Sequence, residues 1–209
     1  MLMYEMMNQY AEVILGSIKE KHIEDYEWLL HNRHNIGHVF KQRFRSFWRL
    51  NPALLSDDFY DTYFEELQDG LAKGTADLRA LTQTLYTTPS NQKGANKLQF
   101  AFCTKLCHTV NPCLPIYDAM IRDFYFYSEP NRKLPLSVRI EDLMFFYQFL
   151  TAEYRRIISE NLLQTAITSF LTKFRTSAFT AEKVIDSLIW AFVGLMKSGA
   201  IVSKAVTYR

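Results

Sequence analysis

Asp118 is the residue best placed to do chemistry. It follows a proline-bracketed turn in the run Asn111-Pro112-Cys113-Leu114-Pro115-Ile116-Tyr117-Asp118-Ala119-Met120-Ile121-Arg122 and opens the next helix. Unpaired amides at a helix start stabilise negative charge, so a carboxylate there is held in its anionic form. Upstream, Lys93-Gly94-Ala95-Asn96-Lys97 leads into Phe100-Ala101-Phe102-Cys103-Thr104-Lys105-Leu106-Cys107-His108, an apolar helix bearing amines. A fixed carboxylate beside amine groups, reached from a polar loop, is an electrostatic device.

The elements that must position these groups are helical. Apolar residues recur at helical spacing almost throughout, with no series of alternating strands. Met3 to Ile14 forms one stripe, Ile23 to Leu30 a second, and Ile36 to Trp48 a third ending before Asn51-Pro52. Ser56 with Asp57 and Asp58 starts a helix that should stop near Gly70, and Thr75 opens another to about Tyr86. Thr87 to Asn96 reads as a loop, Asn96 to Val110 and Ile116 to Phe126 as helices, and Ser128 to Pro135 as a second loop. Two or three longer helices fill Val138 to Lys197, with Thr180 as a cap and Gly199 as a stop. The expectation is a compact all-α fold of about nine helices in a single domain over residues 1–209, compatible with two helical lobes flanking a cleft.

Composition sets the outer bounds. Twenty-four Lys and Arg against 22 Asp and Glu give a net charge of +2, so any nucleic-acid binding must come from a local patch rather than a basic tail. The apolar stretch Val184 to Met196 is short for a bilayer and contains Asp186 and Ser187, so no membrane partner is expected. Glu5 near the start is unlike a secretory leader, and the clustered Cys103, Cys107 and Cys113 suit reduced thiols in a cytoplasm. His31, His34 and His38, or the two cysteines with His108, offer no Cys-x-x-Cys pair, and no metal is expected.

The central run resembles the core of the helix–hairpin–helix DNA glycosylase superfamily, especially its bacterial branch related to 8-oxoguanine glycosylases. Thr104-Lys105-Leu106, His108, Pro112, Pro115-Ile116-Tyr117-Asp118, Ile121 and Arg122 carry the likeness, which covers about thirty of the 209 residues. The resemblance implies a mostly helical enzyme that cleaves the N-glycosidic bond of a modified, damaged or foreign base, with no cofactor. Its partner is double-stranded DNA with one nucleotide flipped out. Asp118 then takes the place of the aspartate that shelters the growing sugar cation, and a lysine amine attacks the sugar in members that form a Schiff base. Lys97, 21 residues before Asp118, follows Gly94 much as the nucleophile follows the hairpin, and is favoured; Lys105, 13 residues before, is the second candidate. Lys93, Gly94, Asn96 and Arg122 become DNA contacts, and Tyr117 and Trp48 base-pocket residues.

Two departures stand out. Pro89-Ser90-Asn91-Gln92-Lys93-Gly94 supplies one glycine where the family's hairpin has two, so the helix–hairpin–helix is degenerate, and Ala119 replaces the usual Ser or Thr. Between Trp28 and Ser56 there is no acid, while Arg33, Lys41, Arg43, Arg45 and Arg49 fall among Phe40, Phe44, Phe47 and Trp48. That interleaving suits either a DNA-facing surface or an amphipathic helix with core aromatics. The alternative function is a catalytically inactive helical module that binds nucleic acid or protein.

Overall fold

The structure is a computed structural model that describes residues 3–51, 54–90 and 96–203. Among these residues the chain forms eleven helices and no strand: α1 (Met3–Gln9), α2 (Ala11–Ser17), α3 (Glu20–Asn32), α4 (His38–Phe47), α5 (Asp57–Lys73), α6 (Leu78–Thr87), α7 (Phe100–Val110), α8 (Ala119–Phe124), α9 (Leu136–Ser159), α10 (Gln164–Phe174) and α11 (Ala181–Lys197). The all-helical expectation holds, and the count of about nine is corrected to eleven among the described residues.

The two extra helices arise from local breaks. The first apolar stripe divides at Tyr10 (φ −98°, ψ 17°), although Tyr10 N still donates to Met6 O and Ile14 N to Tyr10 O. The long segment after Pro135 is three helices, separated by Asn161 and Arg175, both with positive φ. Gly70 does not end α5. It lies at a close crossing with α7, where an added Cβ would stand 3.0 Å from Val110 Cγ2, and the helix continues to a left-handed Gly74. Asp77 rather than Thr75 caps α6, accepting from Arg79 N and Ala80 N at 2.8 and 3.1 Å.

Other start and stop signals act as expected. Ser56 accepts from Phe59 N at 3.2 Å, Thr180 from Lys183 N at 3.3 Å, and Gly199 turns the chain with φ 76°. Buried apolar side chains from all eleven helices form one continuous cluster. α11 is its axis, packing on α2, α8, α9 and α10, while α7 packs on α5 and α6. Among the described residues no helix is long and apolar enough to cross a membrane.

Candidate active site

The segment that delivers Asp118 is pinned at successive backbone groups by buried side chains. His108 bonds Leu114 O through Nδ1 at 2.7 Å, Tyr147 donates to Pro115 O at 2.9 Å, and the Thr104 hydroxyl accepts from Tyr117 N at 3.1 Å and donates to Tyr117 O at 3.2 Å. A carbonyl can only accept, so Nδ1 carries the proton and Nε2 accepts from the Tyr26 hydroxyl at 2.7 Å. Asp118 emerges as the N-cap of α8, with Oδ1 accepting from Met120 N at 2.8 Å and Ile121 N at 3.0 Å. Neither amide uses Oδ2.

Burial, with positive Lys183 nearby, holds the His108 imidazole down to about 3 despite its bond to Leu114. Between that value and its ordinary 6.5 the unfolded chain binds a proton that the folded chain does not. Stability therefore falls as pH falls through this window, by up to ~1.4 kcal/mol per pH unit. Urea unfolding at pH 7 and pH 5 should show this loss, and His108→Gln should flatten the slope.

Asp118 faces a cavity of about 400 Å³. Four parts of the fold wall it: the α2–α3 junction with Lys19 and His22, the end of α4 with Trp48 and Arg49, Lys105 of α7, and the α11 face bearing Lys183, Asp186 and Trp190. Lys105 is only 9% exposed, and its amine donates to Trp48 O at 3.0 Å, a carbonyl at the C-terminal end of α4. Burial lowers its pKa from the usual lysine value; Asp118 and Asp186 oppose this, and Lys183 and Arg49 reinforce it. Lys183, 2% exposed, pairs with Asp186 Oδ2 at 2.6 Å, and its amine lies 5.5 Å from the Trp48 ring. Burial, with the Asp118 charge nearby, raises the Asp186 pKa, while Lys183 and Lys105 lower it.

The mouth is cationic. Arg49 sits 5.4 Å from the ring of Trp190, which is 39% exposed. An adjoining groove shares Lys19, His22 and Phe47 with the cavity, and in it Asp25 pairs with both Lys21 at 3.3 Å and Arg43 at 2.7 Å. Arg49 adopts φ 56° at the end of α4, where Arg49 N donates to Ser46 O and Leu50 N to Arg45 O at 2.9 Å. This is the helix-ending arrangement that ordinarily selects glycine. Arg175 ends α10 in the same left-handed conformation. Arg49→Gly is expected to raise stability by up to about 1 kcal/mol in thermal melts.

Sequence reasoning singled out Asp118, Lys105 and Trp48, and the fold brings all three to this cavity. Lys97 does not line it. It is exposed in the non-helical 96–99 segment, where Ser90 Oγ accepts from Lys97 N at 3.1 Å. Asn96 is exposed beside it, and Lys93 and Gly94 lie outside the described residues. Tyr117 is buried away from the lining, and its hydroxyl donates to Glu129 at 2.8 Å. Arg122 is paired with Asp123 at 2.9 Å and Glu129 at 3.5 Å.

Along α4, Phe40 and Phe44 are core residues rather than stacking platforms. Lys41 lies over Phe64, Arg45 stacks 3.6 Å over Tyr60, and Arg43 pairs with Asp25 at 2.7 Å while covering Trp28. Arg49 of the basic and aromatic interleaving also lines the cavity, whereas Lys19, His22, Lys183, Asp186 and Trp190 are lining groups that the sequence reading did not assign to the site. Among the described residues no group of three or more His, Cys, Asp or Glu is arranged to hold a metal ion. No protein-family description, curated protein or solved structure matches the chain.

Proposed function

We propose that the chain is a DNA glycosylase-like enzyme of the helix–hairpin–helix kind, with a degenerate hairpin, that releases a base from an extruded nucleotide in this cavity. The observation that carries this reading is the meeting of a buried amine with a lowered pKa, Lys105, and the carboxylate Asp118 in one cation-rimmed cavity. The mouth suits the phosphates on either side of the flipped nucleotide, and Trp190 and Trp48 offer apolar faces to sugar and base.

Asp118 stabilises the positive charge that grows on the sugar as the glycosidic bond stretches. The Lys105 lone pair then bonds to C1′, the glycosidic electron pair leaves with the base, the base takes up a proton and the amine loses one. Geometry favours Lys105 over Lys97 as nucleophile, because a surface amine has neither the desolvation nor the placement the step needs. The free thiols of Cys103, Cys107 and Cys113 suit a reducing compartment such as the cytoplasm.

Incubating the protein with duplexes that each carry one modified base tests the proposal. Release of free base from at least one duplex supports it. Salt-sensitive DNA binding with no release across a broad panel would select the inactive nucleic-acid-binding module instead.

A further inference from the structure

The long helix α9 turns one apolar face to the core and a second one outward. Ile140, Leu143, Tyr147, Leu150, Tyr154 and Ile157 are buried, whereas Val138, Phe145 and Phe149 are 47%, 75% and 44% exposed. At the pitch of an α-helix these three share an arc of about 100° with Glu141, Asp142, Ala152 and Arg156, all of them exposed. Aromatic side chains lined up on an outer helix face mark a contact with another surface. The order of the stripe says which surface. The two phenylalanines stand near its middle, both acids lie toward the N-terminal end, and the arginine lies toward the C-terminal end beyond the small Ala152.

We propose that α9 packs antiparallel against α9 of a second copy of this chain, across a two-fold axis beside residues 148 and 149. Equal steps from that axis bring Phe145 level with Ala152 of the copy, a large side chain against a small one. They bring Glu141 level with Arg156 of the copy, with Asp142 one residue away. Phe149 meets its own counterpart beside the axis, because a two-fold keeps it on the same side of both helices. A parallel pairing would instead set Arg156 on Arg156 and Glu141 on Glu141, which like charges oppose. Within one chain Arg156 pairs with Glu153 and Glu160, and Glu141 with Arg79. Such exposed pairs are weak and can be shared with the copy, so the charges set register more than affinity. One helix face is a small contact, and the dimer is a weak one that forms with rising concentration. No residue of α9 lines the cavity, so both cavities stay open and the pairing stands apart from the base-excision reading.

Sedimentation equilibrium of the full chain from micromolar to millimolar concentration is expected to show a shift from monomer to dimer mass. Phe145→Ser, at a side chain already in water, should weaken the dimer at least about tenfold, with circular dichroism confirming an unchanged fold. Cross-linking reads the register. In a Cys113→Ser background, which removes the exposed native thiol, a short bis-maleimide should join two chains carrying Gln148→Cys. It should not join chains carrying Val138→Cys, because an antiparallel pair holds those two positions about 30 Å apart. A monomer throughout the range, unchanged dimerisation in a folded Phe145→Ser protein, or equal cross-linking at both positions would overturn the proposal.

Discussion

Lys105→Met is expected to abolish the covalent adduct that borohydride traps on DNA carrying an abasic site, whereas Lys97→Ala leaves it intact. A lysine with an ordinary pKa is unprotonated only about once in a few thousand molecules at pH 7, and each unit of lowering multiplies that fraction about tenfold. Lys105 has the lowered value because it is buried against Trp48 and Phe102; Lys97 is on the surface. Methionine preserves the length and apolar packing of the Lys105 stem, so loss of the adduct in a folded variant reports loss of the amine. The trapping rate should also level off at a lower pH than for a surface lysine. An adduct that persists in Lys105→Met and disappears in Lys97→Ala would transfer the nucleophile to the exposed segment.

Asp118→Asn is expected to slow base release by about 10²- to 10³-fold with little change in stability. In the proposed reaction the carboxylate has two separable duties. As a cap it accepts from Met120 N and Ile121 N through Oδ1, and an asparagine oxygen can do the same, since the two residues cap helices about equally well. Its charge is what the sugar cation needs, and asparagine lacks it. The same charge favours the ammonium form of Lys105, so removing it lowers the Lys105 pKa further. The variant should therefore lose base release yet still be trapped on a preformed abasic site, at a rate equal to or above that of the native protein. Loss of both activities in step with a fall in melting temperature would show Asp118 to be a structural cap only.

The fold was legible where one helix face is apolar and a strong cap stands at its start, as at Ser56 and Thr180. Breaks that keep their hydrogen bonds were not. Tyr10 bends the first stripe without interrupting its apolar spacing. Gly70 reads as a stop until Val110 is seen against it. Half of the site was readable because Lys105 and Asp118 lie close together in the chain and straddle a proline-bracketed turn.

The other half comes from α11. Lys183 and Asp186 share a face with Trp190 one turn further on, inside the most apolar helix of the chain, and charges persist there because they pair. That interruption was a legible signal, but it speaks only against a membrane span until the fold brings α11 to Asp118. The spacing predicts a helix from Asn96 that would carry Lys97. The helix begins at Phe100 instead, and Ser90 ties the Lys97 backbone to the preceding loop.

The most direct measurement is a crystal structure of the native protein bound to a duplex containing a tetrahydrofuran abasic-site analogue. The ring of the analogue is expected inside the cavity, between Oδ2 of Asp118 and the amine of Lys105, with its flanking phosphates against Arg49 and Lys19. A duplex seated on another face, with Lys105 and Asp118 untouched, would contradict the account.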